Sequence, residues 1–375
     1  MYVLSLKCAS APGGAGEKRK SMRIGILTSG GDCPGLNAVL RGFCKYCFNK
    51  MGDVEILGFK EGYAGLMNRD YVQLTPADVE GILDFGGTIL GTSRQPYKLM
   101  TVKEGDAPTK LQQMVENYKK LKLDVLVTLG GAGTHKTASL LSVEGCNVIG
   151  LPKTIDNDIY GTDVTFGFHT AVEIASDAIK RIRTTADSHR RVFFVEVMGN
   201  KVGWLTLYAG LSSGADVILI PEIPYDEEKL AKFIKDRMGV SRSVVIAVAE
   251  GAMSKFEASM SKKERREYSA GFTGTAAERL CAAMSQKTGI QCRSTVLGHI
   301  QRGGDPCAYD KFISTEIGAF GAHLAEVGRF GVTVCVRGGR LGYNILTDIA
   351  GRTKRVPADG QLVLLCKDMG INFGD

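Results

Sequence analysis

A loop that carries two aspartates directly after a short apolar segment restricts the fold of this chain more than any other stretch. The segment Cys146–Gly150 predicts a buried strand, and helix-spaced apolar residues between Thr162 and Ser188 predict a helix after the loop. Asp156 and Asp158 therefore lie beyond the carboxyl end of a strand. Open α/β sheets bind their ligands at that edge, so the pattern indicates an α/β protein with its chemistry in this loop.

The residue types in the loop favour phosphate chemistry. Of two carboxylates at positions i and i+2, one can accept a proton while the other holds a divalent cation. Lys153 and Thr154 add a positive charge and a hydroxyl for phosphate oxygens. A simple Asp/Asn turn is the alternative interpretation of this loop taken alone, and the remaining loops of the chain favour the functional one.

Three glycine-rich loops accompany the aspartate loop. The strand Met22–Thr28 continues into the loop Ser29–Asn37 and a helix, and the strand with its glycine loop Asp124–Thr134 leads into a second helix. The third loop, Gly86–Arg94, ends in an arginine. Backbone N–H groups at the start of a helix can receive a phosphate, although neither loop before a helix matches the Walker A or dinucleotide pattern. We expect all these loops to gather at one sheet edge.

Strands and helices alternate along the rest of the chain, which predicts mostly parallel sheets covered on both faces. The further predicted strands are Val54–Phe59, Val192–Val197, Asp216–Ile220, Val244–Ala249 and Cys292–Gly298. The further predicted helices are Pro76–Asp84, Lys110–Leu123, Glu227–Met238 and Thr273–Gly289, with an exposed loop or helix over the charged stretch Ser254–Ser269. Two similar α/β domains with the active cleft between them are the resulting prediction.

Length and charge narrow the class of protein. The 375 residues suggest about two domains, and the 47 glycines suggest many tight turns and close backbone approaches. The formal net charge of +7 favours small anionic substrates. With one Trp and no basic helix, the sequence argues against a nucleic-acid partner.

The cysteines and the apolar runs bear on the compartment. The ten cysteines are scattered, which suits reduced thiols in a cytoplasmic protein. Cys44 and Cys47 have metal-motif spacing but no second pair, so we interpret them as helix-packing residues. No apolar run reaches 18 residues, so neither a membrane span nor a membrane partner is predicted. Residues 1–21 are predicted to form a disordered tail.

Five motifs in a fixed order identify a family resemblance. They are Thr28–Asn37, Leu90–Arg94, Pro152–Asp158, Val195–Gly199 and Leu297–Gly304. Between about Arg23 and Arg340 the chain resembles the 6-phosphofructokinase family.

The resemblance implies a fold and domain limits. The fold would be α/β, with two Rossmann-like three-layer domains, mostly parallel sheets and an active site in the interdomain cleft. The nucleotide-binding domain would comprise residues 22–166 plus about 300–348, and the sugar-phosphate-binding domain residues 167–299 plus about 349–375.

The resemblance also implies roles for individual residues in an ATP-dependent, Mg²⁺-requiring 6-phosphofructokinase. Asp156 would take the proton of the sugar 1-hydroxyl, Asp158 would bind Mg²⁺, and Thr154 and Arg94 would stabilise the transferred phosphoryl group. Fructose 6-phosphate would contact Thr154, Asp156, Arg191, Met198, Gly199, Asn200, Glu250, Arg293, His299 and Arg302, of which Arg191, Arg293, His299 and Arg302 would grip the 6-phosphate. ATP would contact Gly31, Arg94, Gln95, Gly131, Ala132, Gly133 and Thr134. Because some arginines reach across subunits in bacterial-type members, a homodimer or homotetramer is implied.

Departures from the family pattern bear on the phosphoryl donor. Ala132 replaces an Asp that helps to hold magnesium in most members, and Asn200 replaces a common Arg, beside which Lys201 could supply part of the charge. Gly133 leaves the space that ATP needs, whereas pyrophosphate-using members usually carry Asp there. Lys153 is typical of the pyrophosphate-using branch. Because steric exclusion is the harder constraint, ATP is the predicted donor.

Three alternatives remain open at this point. They are a pyrophosphate-dependent enzyme, a weakly active regulatory subunit that binds sugar phosphate, and a kinase for another phosphosugar such as sedoheptulose 7-phosphate.

Overall fold

The computed structural model describes residues 21–103 and 105–375, so the predicted tail, apart from Ser21, lies outside the described residues. The described chain divides into two compact units. The first contains the described residues up to Ile155, together with Ile159–Gly167 and Arg302–Thr353. The second contains Asp156–Asp158, Phe168–Gln301 and Lys354–Asp375.

The first unit contains a seven-stranded sheet. Its strands are β1 (Met22–Ser29), β2 (Val54–Phe59), β3 (Tyr71–Leu74), β4 (Val125–Gly130), β5 (Val148–Pro152), β10 (Val332–Arg337) and β11 (Arg340–Ile345). The order is β11-β10-β5-β4-β1-β2-β3, in which the five central strands run parallel and the two edge strands pair antiparallel. Parallel strands buried on both faces are nearly continuous apolar runs, and all six residues of β4 are buried.

Helices cover both faces of this sheet. They are α1 (Leu36–Tyr46), α2 (Tyr63–Asn68), α3 (Pro76–Glu80), α4 (Lys110–Lys120), α5 (Ala132–Val143), α12 (Ala308–Glu326) and α13 (Leu346–Ile349), with a π-helical turn at Cys47–Met51 and a 3₁₀ turn at Tyr97–Leu99. Leu27, Leu57 and Leu126 form one buried cluster with residues of α2, α4, α5 and α13. On the other face α12 packs on α1 and β5.

The contact between α1 and α12 requires glycine on both helices. A Cβ at Gly42 would lie 2.5 Å from the carbonyl oxygen of Thr315, and a Cβ at Gly318 would lie 2.3 Å from that of Val39. Both obstacles are backbone atoms, so the helices would have to separate to admit a side chain. The close approach buries both helices against the sheet.

The second unit has a smaller, wholly parallel sheet of four strands. These are β6 (Val192–Val197), β7 (Val217–Leu219), β8 (Val244–Ala249) and β9 (Cys292–Val296), in the order β7-β8-β6-β9. The helices are α6 (Phe168–His189), α7 (Trp204–Ser213), α8 (Glu227–Val240), α9 (Lys255–Ser259), α10 (Lys262–Ala270), α11 (Ala276–Thr288) and α14 (Gln361–Asp368), with a 3₁₀ turn at Gly298–Arg302. Helices α6 and α7 contact the sheet together, and α8 and α11 form a separate buried cluster with it. The predicted α/β class with mostly parallel sheets is confirmed.

The structure agrees with many of the sequence-based boundaries and corrects others. The strands Val54–Phe59, Val192–Val197 and Val244–Ala249 have the predicted limits. The helix predicted from Thr162 begins at Phe168, because Gly167 has φ of 90° and interrupts a helical path. The helix predicted over Pro76–Asp84 ends at Glu80, before Gly81. Sequence periodicity assigned no element to α2, α7, α12, α14, β3 or the β10–β11 hairpin.

Two further predictions concern cysteines and membranes. Cys44 and Cys47 are buried in the packing of α1 and the turn after it, as predicted. Burial raises the pKa of Cys44 to about 12, which suits an inert packing thiol. Among the described helices none is both long and apolar enough to cross a membrane.

The glycine contact between α1 and α12 is open to a direct test. We expect Gly318→Ala to lower the free energy of unfolding by about 1–3 kcal/mol, because overpacking forces the backbone apart. Gly239→Ala is the matched control, since Gly239 lies in α8 and a Cβ added there would have no other atom within 4 Å. The control should stabilise by about 0.5–1 kcal/mol through helix propensity. Urea unfolding followed by circular dichroism measures both, and equal effects of the two substitutions would contradict the close contact.

Candidate active site

In the first unit three loops leave neighbouring strands at one sheet edge. Ser29 of β1 pairs with Gly130 of β4, and Gly130 pairs with Pro152 of β5, so the carboxyl ends of the three strands are level. The Ser29–Asn37 loop, the start of α5 and the Lys153–Ile155 segment begin there. The expected gathering of glycine loops at this edge is therefore what the first unit shows.

The loop Gly86–Arg94 is fastened to the same edge by hydrogen bonds. The N–H of Gly30 donates to the carbonyl of Ser93 (3.1 Å), and the Thr92 hydroxyl donates to the carbonyl of Gly30 (2.7 Å). Arg94 follows directly, is exposed, and makes no ion pair with any described residue. The Gln95 side chain accepts from Lys110 (3.1 Å). Within the described part of the chain the Arg94 guanidinium therefore has no acidic partner, and hydrogen bonds hold the backbone just before it.

Two cationic side chains hold or cover the first glycine loop. The Lys153 ammonium is buried and donates to the carbonyl of Gly31, so the lysine braces the loop. The guanidinium of Arg302 lies over Gly31, where an added Cβ would come within 2.6 Å of Nη1. Arg302 Nε is a buried donor that has no hydrogen-bond partner among the described residues. Arg302, expected at the sugar 6-phosphate, is thus placed in the first unit beside the glycine loop.

The first turn of α5 contains the predicted nucleotide-binding residues. Gly131 precedes the helix, and Ala132, Gly133 and Thr134 form its first residues. Their N–H groups have no intrahelical acceptors, which makes this turn suited to an anion. No atom lies within 4 Å of a Cβ built on Gly133, so the space beside it is open. The Ala132 side chain offers no oxygen to a cation.

His135 holds this turn in place and was not found by sequence reasoning. It is buried, with Nδ1 3.0 Å from the carbonyl oxygen of Gly131 and Nε2 2.8 Å from the hydroxyl oxygen of Thr333 on β10. Because a carbonyl can only accept, Nδ1 carries the proton. The single Thr333 hydroxyl proton has two acceptors within reach, Nε2 and the carbonyl of Gly150 (2.9 Å). A Cβ at Gly150 would lie 3.1 Å from Nε2, so glycine there leaves room for the imidazole. Burial lowers the pKa of His135 to about 4, which keeps the ring neutral.

The aspartate loop turns sharply between its two carboxylates. Asn157 has φ of 53°, a left-handed conformation that Asn adopts more easily than most residues. Its side-chain oxygen accepts from the Lys354 ammonium (2.8 Å), and the carbonyl of Asp158 accepts from the Lys354 N–H (2.9 Å). Asp156 and Asp158 are each partly exposed. In the first unit, the carbonyl of the buried Thr154 accepts from the Thr165 hydroxyl (2.6 Å).

The donor set suits a Mg²⁺ ion that takes few ligands from the protein. No group of three or more His, Cys, Asp or Glu side chains within the described residues could hold a metal. Mg²⁺ typically keeps several waters and takes one or two carboxylates plus substrate phosphates. One carboxylate, Asp158, is compatible with that mode, in which the substrates supply the other ligands.

In the second unit the predicted sugar contacts follow the carboxyl ends of parallel strands. Met198 and Gly199 follow β6, Glu250 follows β8, and His299 follows β9. Asn200, Glu250 and His299 are exposed. The N–H of Glu250 donates to the carbonyl of Val197 (2.9 Å), which joins the loop after β8 to the end of β6.

Gln301, which sequence reasoning did not single out, connects two of these loops. It is fully buried, and its side chain accepts from the N–H of Met198 (3.2 Å) and donates to the carbonyl of Gly298 (3.0 Å). Its position inside the motif Leu297–Gly304 was the available signal.

Two of the predicted phosphate-binding arginines lie at the opposite edge of the same sheet. Arg191 precedes β6, and Arg293 is the second residue of β9, paired in register with Phe193. The Arg191 Nε donates to the Gln291 side chain (2.7 Å). Since a strand rises about 3.3 Å per residue, Arg191 is separated from Met198 by roughly 20 Å along β6. Within one unit these arginines are therefore not brought together with Met198, Glu250 and His299.

Comparison with known proteins agrees with this architecture. Residues 23–325 match the family model Phosphofructokinase. The ATP-dependent 6-phosphofructokinase of Spirochaeta thermophila is 48% identical over 371 residues, covering 96% of this chain and 99% of that protein. The ATP-dependent 6-phosphofructokinase 3 of Bacteroides thetaiotaomicron is 43% identical over 357 residues, covering 94% of this chain and all of that protein (100%).

Solved structures of similar proteins have the same fold. The Pichia pastoris phosphofructokinase aligns with TM-score 0.76 and 29% identity over 91% of this chain, which spans only 37% of that longer chain. The pyrophosphate-dependent phosphofructokinase of Marinobacter aquaeolei aligns with TM-score 0.77 over 94% of this chain and 88% of its own, and at 19% identity it supports the fold alone.

The fold and its loops are those of α/β proteins that bind ligands at the carboxyl ends of parallel strands. More particularly, the chain belongs to the phosphofructokinase family. The resemblance inferred from its five motifs is confirmed.

The neutral, buried state of His135 predicts a pH-dependent contribution to stability. In the unfolded chain this histidine titrates near 6.5, and in the folded chain near 4. As pH falls through that interval only the unfolded state gains the proton, so stability is full above about 6.5 and declines toward 4, by up to about 3 kcal/mol. Thermal midpoints of wild type and His135→Gln between pH 7 and pH 4.5 measure it. The thermal midpoint of wild type should fall more than that of the variant as pH is lowered. Parallel curves of thermal midpoint against pH would refute a buried neutral His135.

Proposed function

We propose that the chain transfers the terminal phosphoryl group of ATP to the 1-hydroxyl of fructose 6-phosphate, forming fructose 1,6-bisphosphate and ADP. The observation that carries this proposal is the open space at Gly133, in the first turn of α5. A nucleotide needs that space beyond its phosphates, and the names of the two relatives described above support the same donor.

The residues of the first unit would bind ATP. The N–H groups of Gly131, Ala132, Gly133 and Thr134 suit phosphate oxygens because they end a helix dipole. Gly31 has no side chain, so the backbone there could approach the ATP phosphates closely. Arg94, with Gln95 beside it, offers a guanidinium that no described carboxylate neutralises.

The chemical step would depend on the aspartate loop. The Asp156 carboxylate takes the proton of the 1-hydroxyl while that oxygen forms a bond to the γ-phosphorus and the bond to the ADP oxygen breaks. Thr154 and Arg94 stabilise the charge on the equatorial phosphoryl oxygens, which is the main task of a protein in phosphoryl transfer. Asp158 would hold Mg²⁺, which when bound neutralises phosphate charge.

The second unit would supply the sugar contacts. Met198, Gly199, Asn200 and Glu250 would contact the sugar, and His299 would bind the 6-phosphate. We also assign Arg302 to a phosphate, because its unpartnered Nε is a donor that needs an acceptor.

The position of Arg191 and Arg293 supports an oligomer in which subunits share a site. Both lie a strand's length from the other sugar-phosphate residues of their own unit. We propose that they reach the 6-phosphate bound by a neighbouring copy, in a homodimer or homotetramer.

Lys153 is typical of the pyrophosphate-using branch, but its contacts give less support to pyrophosphate as the phosphoryl donor. Its ammonium bonds the carbonyl of Gly31, and this bracing role is independent of the donor. The described cysteines are free thiols, which supports placing the reaction in the reducing cytoplasm.

A coupled assay tests the activity and the donor together. With fructose 6-phosphate, Mg²⁺ and either ATP or pyrophosphate, we expect turnover with ATP only. Asp156→Asn should lower kcat by about 10²–10⁴-fold with little change in the KM for ATP, because it removes the base. Asp359→Asn, at an exposed turn, is the control that should retain full activity.

The outcomes separate the remaining alternatives. Turnover with pyrophosphate would reverse the choice of donor, and faster turnover with sedoheptulose 7-phosphate would change the substrate. Silence with both donors, restored by Ala132→Asp, would indicate a sugar-phosphate-binding subunit instead.

Mixed oligomers test the shared site. The Asp156→Asn and Arg293→Ala variants should each be nearly inactive when assayed alone. A mixed oligomer of the two contains some sites with an intact Asp156 from one copy and an intact Arg293 from the other. Activity should therefore return when the two variants are refolded together. Mixing Asp156→Asn with Glu250→Ala is the control, because both residues would serve the same copy's site and no intact site forms. Equal activity of the two mixtures would show that Arg293 acts within its own subunit.

A further inference from the structure

A cavity lies in the second unit among residues that have no part in the proposed reaction. It has a volume of about 200 Å³ and is bounded by the start of α8 and by α9, α10 and α11. Its lining includes Tyr225, Phe256, Glu257, Tyr268, Phe272 and Arg279. None of the residues assigned to ATP or sugar phosphate lines it.

Three aromatic rings form one wall of this cavity. Phe256 and Tyr268 meet edge to face with ring centroids 5.7 Å apart, and Tyr268 and Phe272 do so at 4.8 Å. All three side chains are exposed, Phe256 to 62%. Phe256 lies on α9, Tyr268 on α10 and Phe272 in the loop after α10. Three adjoining exposed rings expose more apolar area than a solvated surface usually does, and they offer flat apolar surfaces to a ring.

Tyr225 supplies a polar group to the cavity lining. Its N–H donates to the carbonyl of Met253 (3.1 Å), and its carbonyl accepts from the N–H of Lys255 (2.8 Å), so the backbone is fixed. The side chain is 8% exposed, yet its hydroxyl has no hydrogen bond to any described residue. The hydroxyl oxygen is not among the fully buried unpartnered atoms of the described residues, so it is accessible to a ligand. Burial raises the pKa of this hydroxyl, so it remains a donor at neutral pH.

The charges around the cavity are balanced, which argues against a strongly charged ligand at its centre. Arg279 lies 3.8 Å from Glu257 and stacks 6.0 Å from the centre of the Phe272 ring. Glu227, at the cavity edge, lies 3.5 Å from Lys287. One Glu257 oxygen accepts from Ser254, and the other, beside Arg279, can still accept from a ligand.

The walls are held rigidly, as a binding site requires. Arg265 of α10 donates to the carbonyls of Glu257 (3.0 Å) and Met260 (3.1 Å). Ser254 and Ser261 begin α9 and α10 with capping boxes. These bonds fix α10 over the cavity.

We propose that this cavity binds a planar heteroaromatic ring of nucleobase size, stacked on the aromatic wall and hydrogen-bonded by Tyr225 and Glu257. A ring nitrogen or carbonyl accepts from the Tyr225 hydroxyl, and an exocyclic amino group donates to Glu257. Free nucleosides and nucleotides both contain such a ring. The phosphates of a bound nucleotide would remain at the solvent-exposed opening of the cavity.

Isothermal titration with adenosine and with AMP tests the proposal and distinguishes the two sources. Wild-type protein should show a saturable adenosine site that remains when the proposed ATP site is blocked. Tyr268→Ala should weaken binding by about five-fold or more, because one base–aromatic contact is worth about 1–3 kcal/mol. Tyr225→Phe should weaken binding about three- to ten-fold, the value of one hydrogen bond, without lowering the thermal midpoint, since the hydroxyl has no partner within the described chain.

Gly133→Asp is the control for the proposed ATP site, because it fills the space beside α5 but lies outside the cavity. Unchanged adenosine binding in this variant supports the separate site, whether or not the ATP activity itself is confirmed. Tighter binding of AMP identifies nucleotides as the source, and equal binding identifies the nucleoside. The proposal is overturned if adenosine shows no saturable binding. It is also overturned if binding is lost in Gly133→Asp but retained in both Tyr268→Ala and Tyr225→Phe.

Discussion

The parallel pairing of β1, β4 and β5 is the constraint on which the candidate site depends. Because Ser29, Gly130 and Pro152 lie in register, three loops must begin at the same level of the sheet. Hydrogen bonding of strands therefore sets the spacing of loops such as those of Gly31 and Lys153, which are 122 residues apart in sequence. The glycines in these loops then let their backbones approach one another and a phosphate without obstruction by side chains.

Buried neutral side chains stabilise those loops at little electrostatic cost. His135 joins the first turn of α5 to β10, and Gln301 joins the loop after β6 to that after β9. Burying a charge in either place would require a compensating partner, whereas a neutral imidazole and an amide each satisfy a donor and an acceptor. Lys153 is the charged exception, and its ammonium meets a carbonyl oxygen. These hydrogen bonds within the chain position the loops, and a preorganised site favours catalysis.

The residues proposed to bind sugar phosphate divide between the two edges of the small sheet for a geometric reason. A parallel sheet presents the carboxyl ends of all its strands at one edge and the amino ends at the other. Met198, Glu250 and His299 follow strands, while Arg191 and Arg293 stand at the starts of β6 and β9. Arg191 and Met198 are close in sequence but lie at opposite ends of β6. The proposed oligomeric site, shared between copies, would bring both groups to one phosphate.

The sequence by itself determined the α/β class, the order of most strands and the loops that carry the chemistry, because buried apolar runs and glycine loops are local signals. It also carried the five motifs that indicate the family. Tertiary structure alone decided where α6 begins, which helix packs against α1, and which side chains support the site. His135 bonds Thr333, 198 positions away, and the Gly42 and Gly318 contacts join α1 to α12. Such partners are far apart in sequence, so no local pattern of residues could have predicted them.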